Sequence, residues 1–434
     1  VLIPVSEIRL TAVDRTGNES APVNTLIKDI SNFDLPDMES LRQQYAEKLR
    51  QDKPAVREAV VQPGIEVLLS EYPGLLKGKK VGLITNPSAV GLDLRSDVDL
   101  LVEHPDIQVV ALFGAEHGIR GARQGAIFQE GEPDPYTGIP VYSLYGDSYA
   151  PKKEWLKNID VMIYDIQGVG SSWYTFKYSM SFAMEACARE GIPFIVLDRP
   201  NPLGGIVVEG PMLNLGGIFR HPLPLRHGMT YGELATMWNE TENIGADLTV
   251  IKMKGWDRNY TWDETGLPWI MPSPNMGTFE TALVYPGQCL FERTNISEGR
   301  GTTKPFLMTG APWIDGMQVA AELNQLKIPG AVFRPVYFIP EHAETDQNPR
   351  HKPWNHICSG VEILVTDPHE FRSVKTALYL LDAYRKTSPD SLNWTPPETI
   401  RLLEKPGMTV EKVLEACQQE IRDFMAIRKK YLLY

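Results

Sequence analysis

The chain has 434 residues, 43% of them hydrophobic and 23% charged, with a net charge of −12 at pH 7. These are the proportions of a globular protein, at a length that calls for more than one domain. The acidic balance argues against a nucleic-acid binder and against adhesion to an anionic membrane, and no apolar run is long enough to span a bilayer. Four cysteines, Cys187, Cys289, Cys358 and Cys417, are too scattered for a zinc site or a dense disulfide framework. Cys187 and Cys417 fall in helical patterns and read as core thiols. No signal peptide is visible, and a chain opening on Val1 reads as a mature or trimmed product.

Residues 1–60 differ from the rest and are expected to form a short β/helical extension. Residues 8–13 alternate like a strand, and Asp14-Arg15-Thr16-Gly17-Asn18 follows as a turn. This is the pattern of the last strand of a fibronectin-like or immunoglobulin-like module. Residues 41–60 read as a linker helix.

From residue 61 to 215 the pattern is α/β. Strands are expected at 81–85, 109–113, 161–164 and 194–197, with helices at 98–103 and from Phe176 to a stop at Gly191. Near-continuous apolar strands between helices indicate a parallel sheet covered on both faces. The carboxyl ends of these strands carry the polar residues Asn86, Glu116, Asp165 and Asp198. In a parallel sheet those ends share one edge, where open α/β sheets build their sites. The densest loop is Phe113-Gly114-Ala115-Glu116-His117-Gly118-Ile119-Arg120-Gly121, which sets a carboxylate, an imidazole and a guanidinium among glycines.

Residues 216–434 mix the two element types without strict alternation, as an α+β domain does. Thr230 and Glu233 have capping-box spacing at the start of a helix. Strands are expected at 248–253, 331–339 and 361–366, and helices at 371–386 and 410–431. Between them, 269–303 reads as a long polar loop, too rich in aromatic residues for disorder.

What the loops lack argues against several chemistries. There is no Gly-x-Gly-x-x-Gly after the first strand, no phosphate-binding Gly-x-x-x-x-Gly-Lys, no His-Glu-x-x-His and no Gly-x-Ser-x-Gly. What remains is a cleft of carboxylates (Glu116, Asp165, Asp198, Glu292, Glu298), arginines (Arg120, Arg199, Arg226, Arg300) and aromatics (Tyr174, Trp256, Trp269, Tyr285). Carboxylates for proton transfer, rings for stacking and arginines for an anion together suit an acidic sugar.

The ordered series of motifs resembles the bacterial exo-β-N-acetylmuramidase (NamZ-like) family, long labelled a domain of unknown function. It comprises the 113–121 loop, Leu197-Asp198-Arg199-Pro200-Asn201-Pro202, Val208-Glu209-Gly210-Pro211 and Arg226-His227-Gly228-Met229-Thr230. Further on come Pro272-Ser273-Pro274-Asn275-Met276 and Thr294-Asn295-Ile296-Ser297-Glu298-Gly299-Arg300-Gly301-Thr302. The resemblance implies a glycoside hydrolase with a Rossmann-like parallel-sheet domain followed by a second α+β domain, the active site lying between them. It implies release of N-acetylmuramic acid from the non-reducing ends of peptidoglycan fragments outside the cytoplasm, with no metal or nucleotide cofactor. Glu116 becomes the catalytic carboxyl, His117 an orienting or relay group, and Asp198, Asp165 or Glu298 the second carboxylate, unless the substrate's N-acetyl group assists. Asn86, Arg120, Asp165, Tyr174, Arg199, Asn201, His227, Asn275, Glu292, Asn295, Glu298 and Arg300 become substrate-binding residues. The chain departs from the family pattern at Gly168, usually an acid, at Ser172, usually an arginine, and at Gly277, usually a proline. A non-catalytic muropeptide-binding paralogue, or an esterase or amidase working through His117 or His227, stays open as an alternative.

Overall fold

The computed structural model describes residues 8–10, 23–25, 61–121, 130–146, 148–341, 352–387 and 390–434. The chain divides into two compact units, Val1–Ala55 and Val56–Tyr434. In the first, β1 (Ile8–Leu10) pairs antiparallel with β2 (Val23–Thr25). The linker helix expected over 41–60 lies outside the described residues.

The second unit is built on a seven-stranded sheet. Its strands are β3 (Lys80–Thr85), β4 (Gln108–Gly114), β5 (Glu130–Pro133), β6 (Pro140–Ser143), β7 (Val161–Asp165), β8 (Phe194–Leu197) and, after the hairpin of β9 (Glu209–Leu213) and β10 (Leu223–Arg226), β11 (Leu248–Ile251). The order is β11-β8-β7-β3-β4-β6-β5. All pairings are parallel except β5 on β6. The chain starts in the middle at β3, runs outward through β4 and β6, then returns to the other side of β3 at β7. The switch point therefore lies between β3 and β7, beside the loops that follow Thr85 and Asp165. The last strand of this sheet comes from residues 248–251, beyond residue 215, where the sequence ends the first domain.

Side-chain alternation explains why these strands are apolar throughout. Val81, Leu83, Leu112, Val161, Ile163, Ile195 and Leu197 pack on one face against Ile65, Leu68, Val98 and Leu101. Ile84, Phe113, Met162, Tyr164, Phe194 and Val196 pack on the other, against Met180, Met184, Leu234 and Trp238. With both faces dry, polar residues are left only at the strand ends. The helix Phe176–Glu190 stops at Gly191, whose φ is 68°, and the helix Tyr231–Thr241 starts with a complete Thr230–Glu233 capping box, both as the sequence predicts.

The C-terminal part holds the antiparallel sheet of β12 (Met308–Ala311), β13 (Ala331–Phe338) and β14 (Cys358–Val365), in the order β12-β14-β13. Helices Gly316–Gln325 and Ser373–Thr387 accompany it. Its apolar residues Val361, Ile363, Leu378 and Leu381 join the same core that covers one face of the parallel sheet. The stretch 269–303 is not one long loop: it contains the helix Phe279–Gln288 and a 3-10 turn, Cys289–Arg293. Pro286 and Gly287 concealed that helix, because both are poor helix formers. Here they are used: Pro286 O accepts a hydrogen bond from Trp173 Nε1 and Gly287 N donates to Ser373 Oγ. Residues 410–431 form two helices, Val410–Ala416 and Gln418–Arg428, rather than one.

The centre of the smaller sheet depends on glycine. Gly360 on β14 faces Gly310 on β12, and a Cβ at 360 would lie 1.9 Å from Thr309 O. Backbone cannot yield as a flexible side chain does. Gly360→Ala is therefore expected to destabilise the folded protein by about 2 kcal/mol or more, measured by urea unfolding. A change within roughly 0.5 kcal/mol, the size of an ordinary surface substitution, would contradict that close approach.

Candidate active site

β4 ends at Gly114, where a Cβ would come within 3.0 Å of Gly118 Cα, so glycine lets the loop fold back on itself. Gly118 N donates to Ala115 O at 3.0 Å, closing a turn with Glu116 and His117 at its centre. His117 has a φ of 74°. An L-residue in the left-handed region costs roughly 1–2 kcal/mol. Strain of this kind persists where the surroundings enforce it, and it clusters at functional loops.

Two segments converge on the Glu116 side chain. Thr175, just ahead of helix Phe176–Glu190, donates from Oγ1 to Glu116 Oε2 at 3.0 Å. Tyr145, two residues beyond β6, is hydrogen-bonded to the same carboxylate. Burial, then the charge of Glu116, pushes its hydroxyl above the usual range, and Glu292 adds to the effect. Tyr174 lies buried beside Thr175. Burial raises its hydroxyl well above the usual range, and the charges of Glu116 and Arg300 both reach it.

The residues around Arg300 adjoin this group through Tyr174. The Tyr174 ring meets that of Tyr285 edge-on at 5.9 Å, Tyr285 meets Phe306 at 4.8 Å, and the Arg300 guanidinium lies 5.0 Å from the Phe306 ring centre. Arg300 bonds Glu292 through Nη2, and its Nε lies 3.4 Å from Glu298 Oε1. Burial weakens the Arg300 charge, but Glu292 and Glu298 outweigh that and hold its pKa above the usual value. Burial would raise Glu298, yet Lys352 and Arg300 bring it below the usual carboxylate range.

Most of the other residues predicted from sequence are spent on the scaffold. Asp165 and Arg199 form a buried bidentate pair, and Arg199 also donates to Val90 O. Asp97 is buried against them, and burial first, then Asp165, raises its carboxyl well above the usual range. Asn86 holds Ser88 and donates to Pro272 O at 3.1 Å. Asn201 donates to Met229 O and accepts from Leu203 N. Asn295 ties residues 391 and 393 to its own loop. Arg120 makes a bidentate pair with Asp134 and covers the Tyr136 ring, so it is already paired away from Glu116. Asn275 is half-buried. His227 accepts from Met229 N through Nδ1, and burial, then Lys177 and Arg428, holds its pKa well below the usual value. Among the aromatics, Trp256 packs in a separate small cluster with Val61 and Met253, and Tyr285 is buried.

Asp198 serves a different place from Glu116. Its carboxylate accepts from Arg199 N, Thr230 Oγ1, Gly232 N and the hydroxyl of Tyr434. It follows β8, three strands from β4, or about 14 Å at ordinary strand spacing. That exceeds the carboxylate separation of either glycosidase geometry, roughly 5–9.5 Å. The carboxylate that shares surroundings with Glu116 is Glu292, since both act on Tyr145.

The departures from the family pattern have local explanations. At Gly168 a Cβ would fall 2.6 Å from the Tyr231 ring, so that tyrosine fills the room a side chain would need. Ser172 donates to Pro224 O, and the buried Lys177 amine donates to the carbonyls of Ser171, Ser172 and Tyr174 at 2.5–3.1 Å. Ser181 Oγ and His221 Nε2 are 2.6 Å apart, but Ser181 is fully buried within a helix and no substrate can reach it.

Tyr145, Thr175 and Lys352 were given no role by sequence reasoning. Thr175 closes the family-like segment 165–175, in which only Asp165 and Tyr174 were singled out. Tyr145 and Lys352 lie outside any motif, and only the fold brings them in.

Comparison with known proteins agrees with the ordered motifs. Residues 81–280 match the family model described as exo-β-N-acetylmuramidase NamZ, N-terminal, and residues 283–434 match its C-terminal counterpart. The chain is 45% identical over 386 residues to the peptidoglycan β-N-acetylmuramidase NamZ of Bacillus subtilis (strain 168), covering 86% of this chain and 91% of that protein. It also resembles two solved structures of DUF1343 family proteins from Bacteroides fragilis. One is 35% identical with a TM-score of 0.76, covering 88% of this chain and 100% of the other. The second is 29% identical with a TM-score of 0.66, covering 86% and 99%.

The Asp198 hub makes stability pH-dependent. Burial, opposed by its donors, raises this carboxyl from 3.8 to about 6. A raised acid favours the folded state most below its unfolded pKa, about 3.9, and that contribution is lost as pH rises through about 6. Wild-type stability should thus fall relative to Asp198→Asn between pH 4 and 7, by on the order of 2 kcal/mol. Parallel denaturation curves for the two proteins across that range would refute the raised pKa.

Proposed function

The chain belongs to the exo-β-N-acetylmuramidase NamZ family and is a glycoside hydrolase, and from that premise we propose that Glu116 is the acid that protonates the leaving oxygen. The protein removes N-acetylmuramic acid from the non-reducing ends of peptidoglycan fragments. One observation carries the residue assignment. Glu116 is half-buried on a strained turn and held by Thr175 Oγ1, and a second carboxylate, Glu292, reaches the same tyrosine, Tyr145.

Cleavage of a glycosidic bond needs a proton on the departing oxygen and stabilisation of an oxocarbenium-like centre. In this reading Thr175 and Tyr145 hold the Glu116 carboxyl and orient it toward the glycosidic oxygen. Glu292 stands across the cleft to assist water or stabilise positive charge. Tyr174, buried between Phe176 and Tyr285, backs the Thr175 that holds Glu116. Arg300 is the guanidinium of the centre and suits the lactyl carboxylate that separates muramic acid from N-acetylglucosamine; a charge-assisted contact is roughly twice as strong as a neutral one. His117 orients the turn that carries Glu116. Because the substrate is a wall polymer, we place the protein outside the cytoplasm, as a secreted or envelope-associated enzyme of cell-wall turnover. Fractionating cells of the source organism tests that, and finding the protein only in the cytosol would reject it.

Glu116→Gln keeps the shape but cannot donate the proton. General acid catalysis contributes typically about 10²–10⁴-fold, and turnover of natural muropeptides is expected to fall by that order. A chromogenic muramide, whose leaving group needs little protonation, should lose much less. Equal losses on the two substrates, or near-normal turnover, would remove Glu116 from the acid role. Arg300→Ala should weaken the muramide far more than the matching N-acetylglucosaminide, as measured by competitive inhibition. A common loss on both would detach Arg300 from the lactyl group.

A further inference from the structure

Lys352 was no part of any sequence motif, yet it ends in the charged cluster around Arg300. Its Nζ lies 2.6 Å from Glu298 Oε2, and both side chains are 1% exposed. The same ammonium donates to Phe291 O at 2.7 Å and to Ile296 O at 2.5 Å, bridging the two ends of the segment that carries Glu292. Glu298 in turn lies against Arg300, and Arg300 against Glu292. The four groups form one line of alternating sign: Lys352, Glu298, Arg300, Glu292. Two cations and two carboxylates leave it neutral.

Neutrality matters for an anionic ligand. Arg300 on its own is outnumbered by Glu292 and Glu298, and a three-member cluster would carry net negative charge and repel a carboxylate. Lys352 cancels the deeper of the two acids from behind. Glu298 is thereby occupied on one side by a dedicated cation, and Arg300 retains charge for what enters the cleft. We infer that Lys352 is a specificity-determining positioning residue, which acts through Glu298 and Arg300 to make the site accept a sugar bearing a free carboxylate. This rests on the muramidase reading and on Arg300 as the carboxylate receptor.

The experiment compares a chromogenic β-N-acetylmuramide with its lactyl methyl ester, which differs by one methyl group and is uncharged. In Lys352→Met, KM for the acid should rise by at least roughly tenfold, the effect of one uncompensated charge at several ångströms in a partly buried site, while KM for the ester changes less than about threefold. Lys352→Arg should restore the acid-to-ester ratio. If Lys352 only braces the loop, both substrates suffer equally, and that result overturns the inference, as does an unchanged KM for the acid. Should Lys352→Met fail to fold, Glu298→Gln is compared with the Lys352→Met/Glu298→Gln double variant, which leaves neither buried charge unpaired. The single variant carries one extra positive charge and should favour the acid over the ester by roughly tenfold relative to the double; equal ratios overturn the inference. A wild-type protein that cleaves neither substrate would instead overturn the muramidase reading itself.

Discussion

A parallel sheet that is dry on both faces constrains everything else in this protein. Val81, Leu83, Ile163 and Leu197 face one helical layer while Ile84, Phe113, Tyr164 and Val196 face the other. No position within such strands tolerates an unpaired polar group, because burial without a hydrogen bond costs several kcal/mol in an apolar medium, on the order of 2–7. Polar chemistry is therefore pushed to the carboxyl edge, where Asn86, Glu116, Asp165 and Asp198 sit in neighbouring loops. The switch point between β3 and β7 opens that edge, and the loops after the two strands touch there: Gln167 N donates to Ser88 Oγ at 3.2 Å.

Placing charged groups at one edge does not make them all available for chemistry. Those that become buried must be paired, and the pairs then serve the scaffold. Asp165 is consumed by Arg199, Arg120 by Asp134, and Asp198 by two backbone amides and two hydroxyls. Glu233 meets Arg258 in the same way. Glu116 and Arg300 differ because each, though partnered, is half-buried rather than sealed. A group that is held but still reachable is oriented without being closed off, as proton transfer or anion capture requires.

The far end of the chain completes this arrangement. The Tyr434 hydroxyl donates to Asp198 and accepts from Met253 N, and Arg428 donates to the carbonyls of Gly205 and Gly228. The C-terminal segment thus closes over loops of the parallel sheet, beside the 226–230 segment, and the apolar core runs on without a break into the antiparallel sheet. That continuity gives the two walls of the site a fixed relation: Tyr174 comes from the parallel-sheet side, Tyr285 and Phe306 from the other, and their rings interlock.

By itself the sequence determined what depends on local pattern. Apolar runs of strand length, glycine stops and a capping box placed the parallel sheet and its helices, because each is a short-range preference written in a few neighbouring residues. The loop motifs named the family and brought Glu116 and Arg300 forward. It did not determine the helix Phe279–Gln288, where Pro286 and Gly287 argue against a helix until tertiary contacts with Trp173 and Ser373 make use of them. Nor did it separate working carboxylates from structural ones. Asp198, Asp165 and Glu116 look alike at strand ends; only strand order puts Asp198 three places from Glu116, and only packing brings Tyr145 to Glu116 and Lys352 to Glu298 from positions with no motif at all. Partnership across long separations is a property of the folded chain, since electrostatics and burial act through space and not along the sequence.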